Sequence, residues 1–178
     1  MSKYHSERLA EVAGAWFSED PASNLYDFGC GQGYYLEQIE KKYANGPFGF
    51  GFDGCPDLAA CAQYDLIIHP VDLGVPFFTG LPRGHVMSIE VAEHIAEARL
   101  PAFLGNLERH CAHKLLLTWA KRGQAGTRHV SCRNQDEVVP MVEALGFQFL
   151  EKPTTDWRRY VGEEIWYFKD TIYAFARK

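Results

Sequence analysis

The residues best suited to chemistry lie in the stretch from Asn24 to Ile39, NLYDFGCGQGYYLEQI. An apolar segment ends in Asp27, and Gly29, Gly31 and Gly33 then follow at every second position before a helical segment. Glycines permit a tight turn and let a ligand approach the backbone amides. The start of a helix adds unpaired N–H donors and the positive end of the helix dipole. The spacing therefore predicts a ligand-binding loop between a strand and a helix.

This stretch resembles the first motif of the class I S-adenosylmethionine-dependent methyltransferases, in which an acidic residue and a G-x-G-x-G loop close the first strand. The dinucleotide fingerprint G-x-G-x-x-G fits less well, because it would require glycine where Tyr34 stands. The resemblance implies S-adenosylmethionine as the cofactor. The residues it implies as cofactor contacts in this loop are Asp27, Gly29, Cys30, Gly31 and Gly33.

Four further cofactor contacts follow from the same resemblance. Asp53 ends the second predicted strand, twenty residues after Gly33, where a carboxylate can accept hydrogen bonds from ribose hydroxyls. Asp72 and Leu73 match the position that touches the adenine in the family. Glu90 matches the end of the fourth strand, near the methionine portion of the cofactor.

The acceptor side is expected around the fourth and fifth strands, because ligands of open α/β sheets bind beyond the carboxyl ends of the strands. His94 follows the fourth strand and His129 lies in the loop after the fifth. Either imidazole could remove a proton near neutral pH, with Glu90 or Glu93 orienting it. We therefore expect His94, His129 and Glu90 to be catalytic if the acceptor carries a proton. A thiol or amine acceptor with a free lone pair would need no base.

The loop after the fifth strand belongs to a cationic window. Residues 109–135 contain six Lys or Arg and no Asp or Glu, whereas the whole chain has 18 basic and 23 acidic residues and a net charge of −5. The resemblance implies that this loop forms part of the acceptor site, so Trp119, Arg122 and Arg128 are expected to bind the substrate. Guanidinium groups suit a small anionic acceptor. The net negative charge argues against a nucleic-acid partner.

Composition excludes other classes. The chain has 178 residues, 47% of them hydrophobic and 23% charged, which predicts one folded domain over residues 1–178 rather than disorder. No apolar run is long enough to cross a membrane, so no membrane partner is expected. The five cysteines form no CxxC pair, which favours a reduced, cytoplasmic location, and they have no zinc spacing, so no metal site is expected.

Helical and strand-like segments alternate along the chain. Helices are predicted over residues 6–18, 34–44, 57–63, 99–111 and 134–145, and strands over 24–28, 48–53, 66–71, 85–90, 114–119, 147–152 and 171–177. Residues 153–170 show no clear period. Such alternation predicts an α/β fold with a doubly wound sheet. The resemblance implies the Rossmann-like order 3-2-1-4-5-7-6 with the last strand antiparallel, because no helix is expected between the last two strands.

Three other functions stay open at this point. A non-catalytic S-adenosylmethionine-binding domain or partner subunit would share the glycine loop. A nicotinamide-dependent oxidoreductase is disfavoured by Tyr34 and by the lack of a second domain. A nucleic-acid amino-methyltransferase is disfavoured because Glu90 to Glu93 reads EVAE, where such enzymes usually carry an Asn or Asp-Pro-Pro-Tyr type motif.

Overall fold

The computed structural model describes residues 5–55, 57 and 66–178, which form a seven-stranded sheet with helices on both faces. Its strands are β1 (Leu25–Phe28), β2 (Gly49–Asp53), β3 (Ile68–Pro70), β4 (Gly84–Ser88), β5 (Cys111–Thr118), β6 (Phe147–Phe149) and β7 (Ile172–Arg177). The spatial order is β3-β2-β1-β4-β5-β7-β6. β7 runs antiparallel to β5 and β6, and the other pairs are parallel. The predicted fold class and strand order are confirmed.

Two apolar layers enclose the sheet. The helices are α1 (Glu7–Phe17), α2 (Tyr34–Lys42), α3 (Leu100–His110), α4 (Gln135–Glu143), α5 (Glu151–Gly162) and the single-turn α6 (Phe168–Thr171). Neighbouring residues of a strand point to opposite faces. Leu25 and Met87 accordingly pack in the layer of α1, α2 and α5, whereas Tyr26 and Val86 pack in the layer of α3 and α4.

The region after β6 differs from the sequence prediction. The predicted strand 147–152 ends at Phe149, and α5 occupies most of the stretch in which no period was recognised. Thr154 and Val161 are buried on one side of α5 at a spacing of seven residues, with Trp157 half-buried between them. The expectation that no helix separates the last two strands was therefore wrong, although the antiparallel direction of β7 was right.

Other element boundaries agree with the prediction within a few residues. Cys111, predicted to close a helix, instead begins β5, because α3 ends at His110. Before α4, the Glu137 carboxylate accepts a hydrogen bond from the backbone N–H of Asn134 at 3.1 Å, as the capping-box spacing predicts. The helix predicted over residues 57–63 lies outside the described residues, apart from position 57. Among the helices that the structure describes, none combines the length and apolarity needed to cross a bilayer.

Candidate functional site

The carboxyl ends of the five parallel strands, β1 to β5, lie along the same side of the sheet, and most of the predicted site residues follow these strand ends. β1 leads into the glycine loop, in which Gly29, Gly31 and Gly33 have φ of 88°, 52° and 88°. This left-handed region is strained for residues with a Cβ. A Cβ would also lie 2.1 Å from Val91 at Gly29, whereas at Gly31 it would meet nothing within 4 Å. The middle of the loop therefore faces open space.

Asp53, at the end of β2, holds the glycine loop. Its Oδ2 accepts a hydrogen bond from the Gly31 N–H at 2.8 Å, and its Oδ1 accepts one from the Cys55 N–H at 2.8 Å. Carboxylate oxygens have further lone pairs, so both atoms keep acceptor capacity for a ligand hydroxyl. The loop and its acidic partner thus form one structure across the ends of β1 and β2.

Asp27 is almost fully buried below this loop. Its Oδ2 has no hydrogen-bond partner in the described part of the chain. Burial, with a smaller contribution from the nearby charge of Asp53, raises the pKa of Asp27 from 3.8 to about 8. Cys30 is partly buried, and its Sγ lies where a Cβ on Gly51 would clash, so its side chain packs against β2. A buried carboxyl oxygen without a partner is unusual, because such atoms are normally hydrogen-bonded.

Asp72 and Leu73 follow β3, at the same side of the sheet as the glycine loop. Asp72 accepts a hydrogen bond from the Gly74 N–H at 2.9 Å and forms an ion pair with Arg99 at 2.9 Å. Leu73 is buried in the sheet core, and its carbonyl accepts a hydrogen bond from Asn106 Nδ2 at 3.0 Å. The structure therefore places Asp72 at the surface of this edge and the Leu73 side chain inside it.

Glu90 and Glu93 follow β4. Glu90 has a φ of 57°, and the Thr118 hydroxyl at the end of β5 donates to its Oε1 at 2.8 Å. Burial raises the pKa of Glu90. Glu93 is completely buried, and neither of its carboxylate oxygens has a side-chain hydrogen-bond partner among the described residues. Burial, together with the charge of Glu90, raises the pKa of Glu93 to about 8.

His94 and His129 meet beyond the carboxyl ends of β4 and β5. Their ring centroids are 5.0 Å apart at an interplanar angle of 79°. Burial lowers the pKa of His94, which favours the neutral form of its ring. The loop that carries His129 is fixed by Ser131, whose Oγ donates to the carbonyls of Ala92 and Ile95 at 2.8 and 2.7 Å. The fold therefore brings together two histidines that are 35 residues apart in sequence.

The cationic loop is less open than its composition suggests. Arg122 binds Glu137 through two hydrogen bonds, of 2.7 and 2.5 Å. Trp119 is fully buried, and its Nε1 donates to the Ser131 carbonyl at 2.7 Å, so it supports the loop from below. Arg128 is exposed at a φ of 61°, and no ion pair within the described part of the chain includes its guanidinium. Of the predicted substrate residues, Arg128 is the one best placed to meet an anion.

Two features of the site carry only weak sequence signals. His5 stacks on Tyr34 at 4.4 Å and an interplanar angle of 8°, next to the glycine loop. Thr118 carries the hydrogen bond to Glu90 and has no motif, although its position at a strand end was a usable signal.

The strand order, the antiparallel β7 and the glycine loop after β1 together define the fold of the class I S-adenosylmethionine-dependent methyltransferases. No protein-family profile matches the sequence, and no curated protein matches it. The strand order and the antiparallel β7 nevertheless confirm the resemblance at the level of the fold.

Solved structures with this fold differ in what they methylate. The chain is similar to the magnesium protoporphyrin IX methyltransferase of Synechocystis PCC 6803 with bound SAH (16% identity, TM-score 0.70, 97% of this chain and 83% of that one). It is also similar to a sugar N-methyltransferase from Streptoalloteichus sp (15% identity, TM-score 0.72, 99% of this chain and 89% of that one). A third similar structure is the small RNA methyltransferase HEN1 (18% identity, TM-score 0.72, 97% of this chain and 25% of that one). The shared fold therefore leaves the acceptor undefined.

Proposed function

We propose that the chain is an enzyme that binds S-adenosylmethionine and transfers its methyl group to a small, anionic acceptor. The observation that carries this proposal is the buried Asp27, whose Oδ2 has no hydrogen-bond partner among the described residues, next to a glycine loop whose middle residue, Gly31, faces open space. S-adenosylmethionine carries an ammonium and a sulfonium, and either positive charge would compensate a buried carboxylate. The solved structures with bound SAM or SAH among the similar folds support the same ligand.

The residues at the strand ends fit the parts of this cofactor. Asp53 would accept hydrogen bonds from the ribose hydroxyls, because it ends β2 and faces the loop at Gly31. Asp72 and Leu73 would flank the adenine, and Glu90 would lie near the methionine portion. Gly29, Cys30 and Gly33 would shape the loop through their backbone. The cofactor supplies a methyl group on a positively charged sulfur, so a new bond to the acceptor forms as the carbon–sulfur bond breaks and the sulfur keeps the electron pair.

The chain's own contribution to in-line transfer would be mainly alignment of the acceptor with the methyl carbon. Arg128 would hold an anionic group, because its guanidinium has no competing carboxylate in the described part of the chain. Arg122 would contribute only after releasing Glu137. His94 or His129 would take the proton of a hydroxyl acceptor, and a thiol or amine with a free lone pair would need neither.

Calorimetry with S-adenosylmethionine, S-adenosylhomocysteine and NAD tests the cofactor. We expect the first two ligands to bind at one per chain and NAD to give no heat. Asp53→Ala should weaken binding by about 1.5–3 kcal/mol, the usual worth of a hydrogen bond to a charged group. Asp53→Asn keeps one acceptor oxygen and should lose less. Folded protein that binds neither S-adenosylmethionine nor S-adenosylhomocysteine would contradict the proposal.

A second experiment tests catalysis. Pools of small anionic metabolites and a pool of small RNA are incubated with the protein and methyl-labelled S-adenosylmethionine. Label in a small anionic product supports the proposal, and label in RNA contradicts the proposed acceptor. Cofactor binding without turnover on any pool would instead favour the non-catalytic binding domain.

A further inference from the structure

Glu93, His94 and His129 form a cluster that the proposed function leaves unexplained. One carboxylate oxygen and one ring nitrogen of each histidine lie within 4.8 Å of one another. We propose that these three residues bind a divalent first-row transition-metal cation beyond the carboxyl ends of β4 and β5. The cation-binding step does not depend on the proposed methyl transfer, although its role in the reaction would.

The carboxylate of Glu93 gives the strongest reason. It is fully buried, and within the described residues no side chain donates a hydrogen bond to its two oxygens or forms an ion pair with them. The backbone N–H groups of Glu93 and Ala120 offset only part of the effect of this burial. An uncompensated buried acid is costly, and buried charges are normally paired or bound to metals. The groups converging on it are two imidazoles rather than Lys or Arg, and neither imidazole lies close enough to form an ion pair with it.

The distances are compatible with coordination after a small closure. Three atoms separated by 4.8 Å lie about 2.8 Å from their common centre, whereas metal–ligand bonds to nitrogen and oxygen are about 2.0–2.2 Å long. Each ligand atom therefore has to move inward by less than about 1 Å. His94 is exposed and can make this adjustment by rotating its side chain.

The surrounding structure orients the ligands in the way that metal sites require. His94 Nδ1 lies 3.2 Å from the Arg128 carbonyl, and His129 Nδ1 lies 3.3 Å from the Gln124 carbonyl. Backbone carbonyls of this kind commonly fix the ring orientation of metal-binding histidines. The backbone N–H of Val130 also donates to the Glu93 carbonyl at 2.8 Å, which ties the histidine loop to the turn after β4.

The donor set selects the class of cation. Two imidazole nitrogens and one carboxylate oxygen favour Zn²⁺, Co²⁺, Fe²⁺ or Mn²⁺ over Mg²⁺ and Ca²⁺, which prefer oxygen ligands. Three protein ligands leave coordination positions open. Those positions would hold an acceptor oxygen and lower its pKa, and the two imidazoles would then act as ligands instead of bases. Such a site would contradict the prediction, made from the cysteine spacing, that the chain has no metal site.

Titration of tag-free, EDTA-treated protein with Zn²⁺, Co²⁺ and Mg²⁺ tests the site, using calorimetry and the visible absorption of Co²⁺. We expect one Zn²⁺ or Co²⁺ per chain and much weaker Mg²⁺ binding. Glu93→Gln and His94→Ala should each weaken Zn²⁺ binding roughly tenfold or more. His94 is exposed, so its variant should fold normally, as circular dichroism will check. His113→Ala is the matched control, because His113 is half-exposed at the opposite end of β5.

Binding with the predicted stoichiometry that is lost in Glu93→Gln and His94→Ala but kept in His113→Ala supports the site. Folded protein that binds no Zn²⁺ or Co²⁺, or that binds them equally well in all variants, overturns it. The EDTA-treated protein is also titrated with S-adenosylmethionine. Cofactor binding without metal binding would refute the metal site alone, whereas metal binding without cofactor binding would refute the proposed function alone.

Discussion

The substitution Asp27→Asn tests two expected effects of the Asp27 carboxyl, namely the pH dependence of folding stability and the contact with the cofactor. The pKa of this carboxyl is about 8 in the folded protein and about 3.8 when exposed, so the folded state holds a proton that the unfolded chain releases near pH 4. The unfolded state then binds fewer protons between these values, and the contribution of Asp27 to stability falls as the pH rises from about 4 to 8. The neutral amide removes this dependence.

The size of the effect follows from the pKa shift. Each unit corresponds to about 1.4 kcal/mol, so a shift of roughly four units sets an upper bound of roughly 6 kcal/mol. Ligand-free Asp27→Asn protein should therefore gain stability relative to wild type as the pH rises, levelling off above pH 8. S-adenosylmethionine binding should weaken at the same time by about 1.5–3 kcal/mol at pH 8, because a charged hydrogen-bond partner is lost.

Urea unfolding at half-unit pH steps from 4 to 9 measures the stability, and calorimetry at pH 6, 7 and 8 measures the affinity. The wild-type affinity should rise with pH as Asp27 ionises. Asp136→Asn, an exposed acid in α4, is the control and should follow wild type in both measurements. Identical pH slopes for Asp27→Asn and wild type would refute the raised pKa. An unchanged affinity would refute the contact with the cofactor.

Two further substitutions test the loops of the site. Gly31→Ala adds a Cβ that meets no protein atom within 4 Å, so it should cost only about 1–2 kcal/mol of left-handed strain but abolish cofactor binding. Gly80→Ala has a similar φ of 71° and equally open space, and should retain binding in the same calorimetric titration. Arg128→Ala should lower kcat/KM for an anionic acceptor about tenfold. Arg122→Ala, whose guanidinium is held by Glu137, should lower it less, and equal kinetics for both variants and wild type would exclude an anion site in this loop.

The sequence alone predicted the order of elements and the residues proposed to contact the cofactor. Apolar periodicity and turn residues are local signals, and the glycine loop after β1 is one continuous motif, so Asp27 and Gly31 were singled out as cofactor contacts without knowledge of any long-range contact. Strand order followed from the same motif through its resemblance. Helix α5 was missed because few of its residues are apolar, and its buried face becomes evident only against β7, where Thr154 Oγ1 accepts the Ala174 N–H at 3.0 Å.

Contacts between distant segments set which charged side chains remain available to bind a ligand. The window of residues 109–135 contains no acid of its own, yet Glu137 lies just beyond it and occupies Arg122, whereas Arg128 has no such partner in the described part of the chain. Glu93 and His129 are 36 residues apart, and only the hydrogen bonds between the two loops bring their side chains together. Pairing and burial depend on contacts between distant segments, and local sequence patterns carry no record of those contacts.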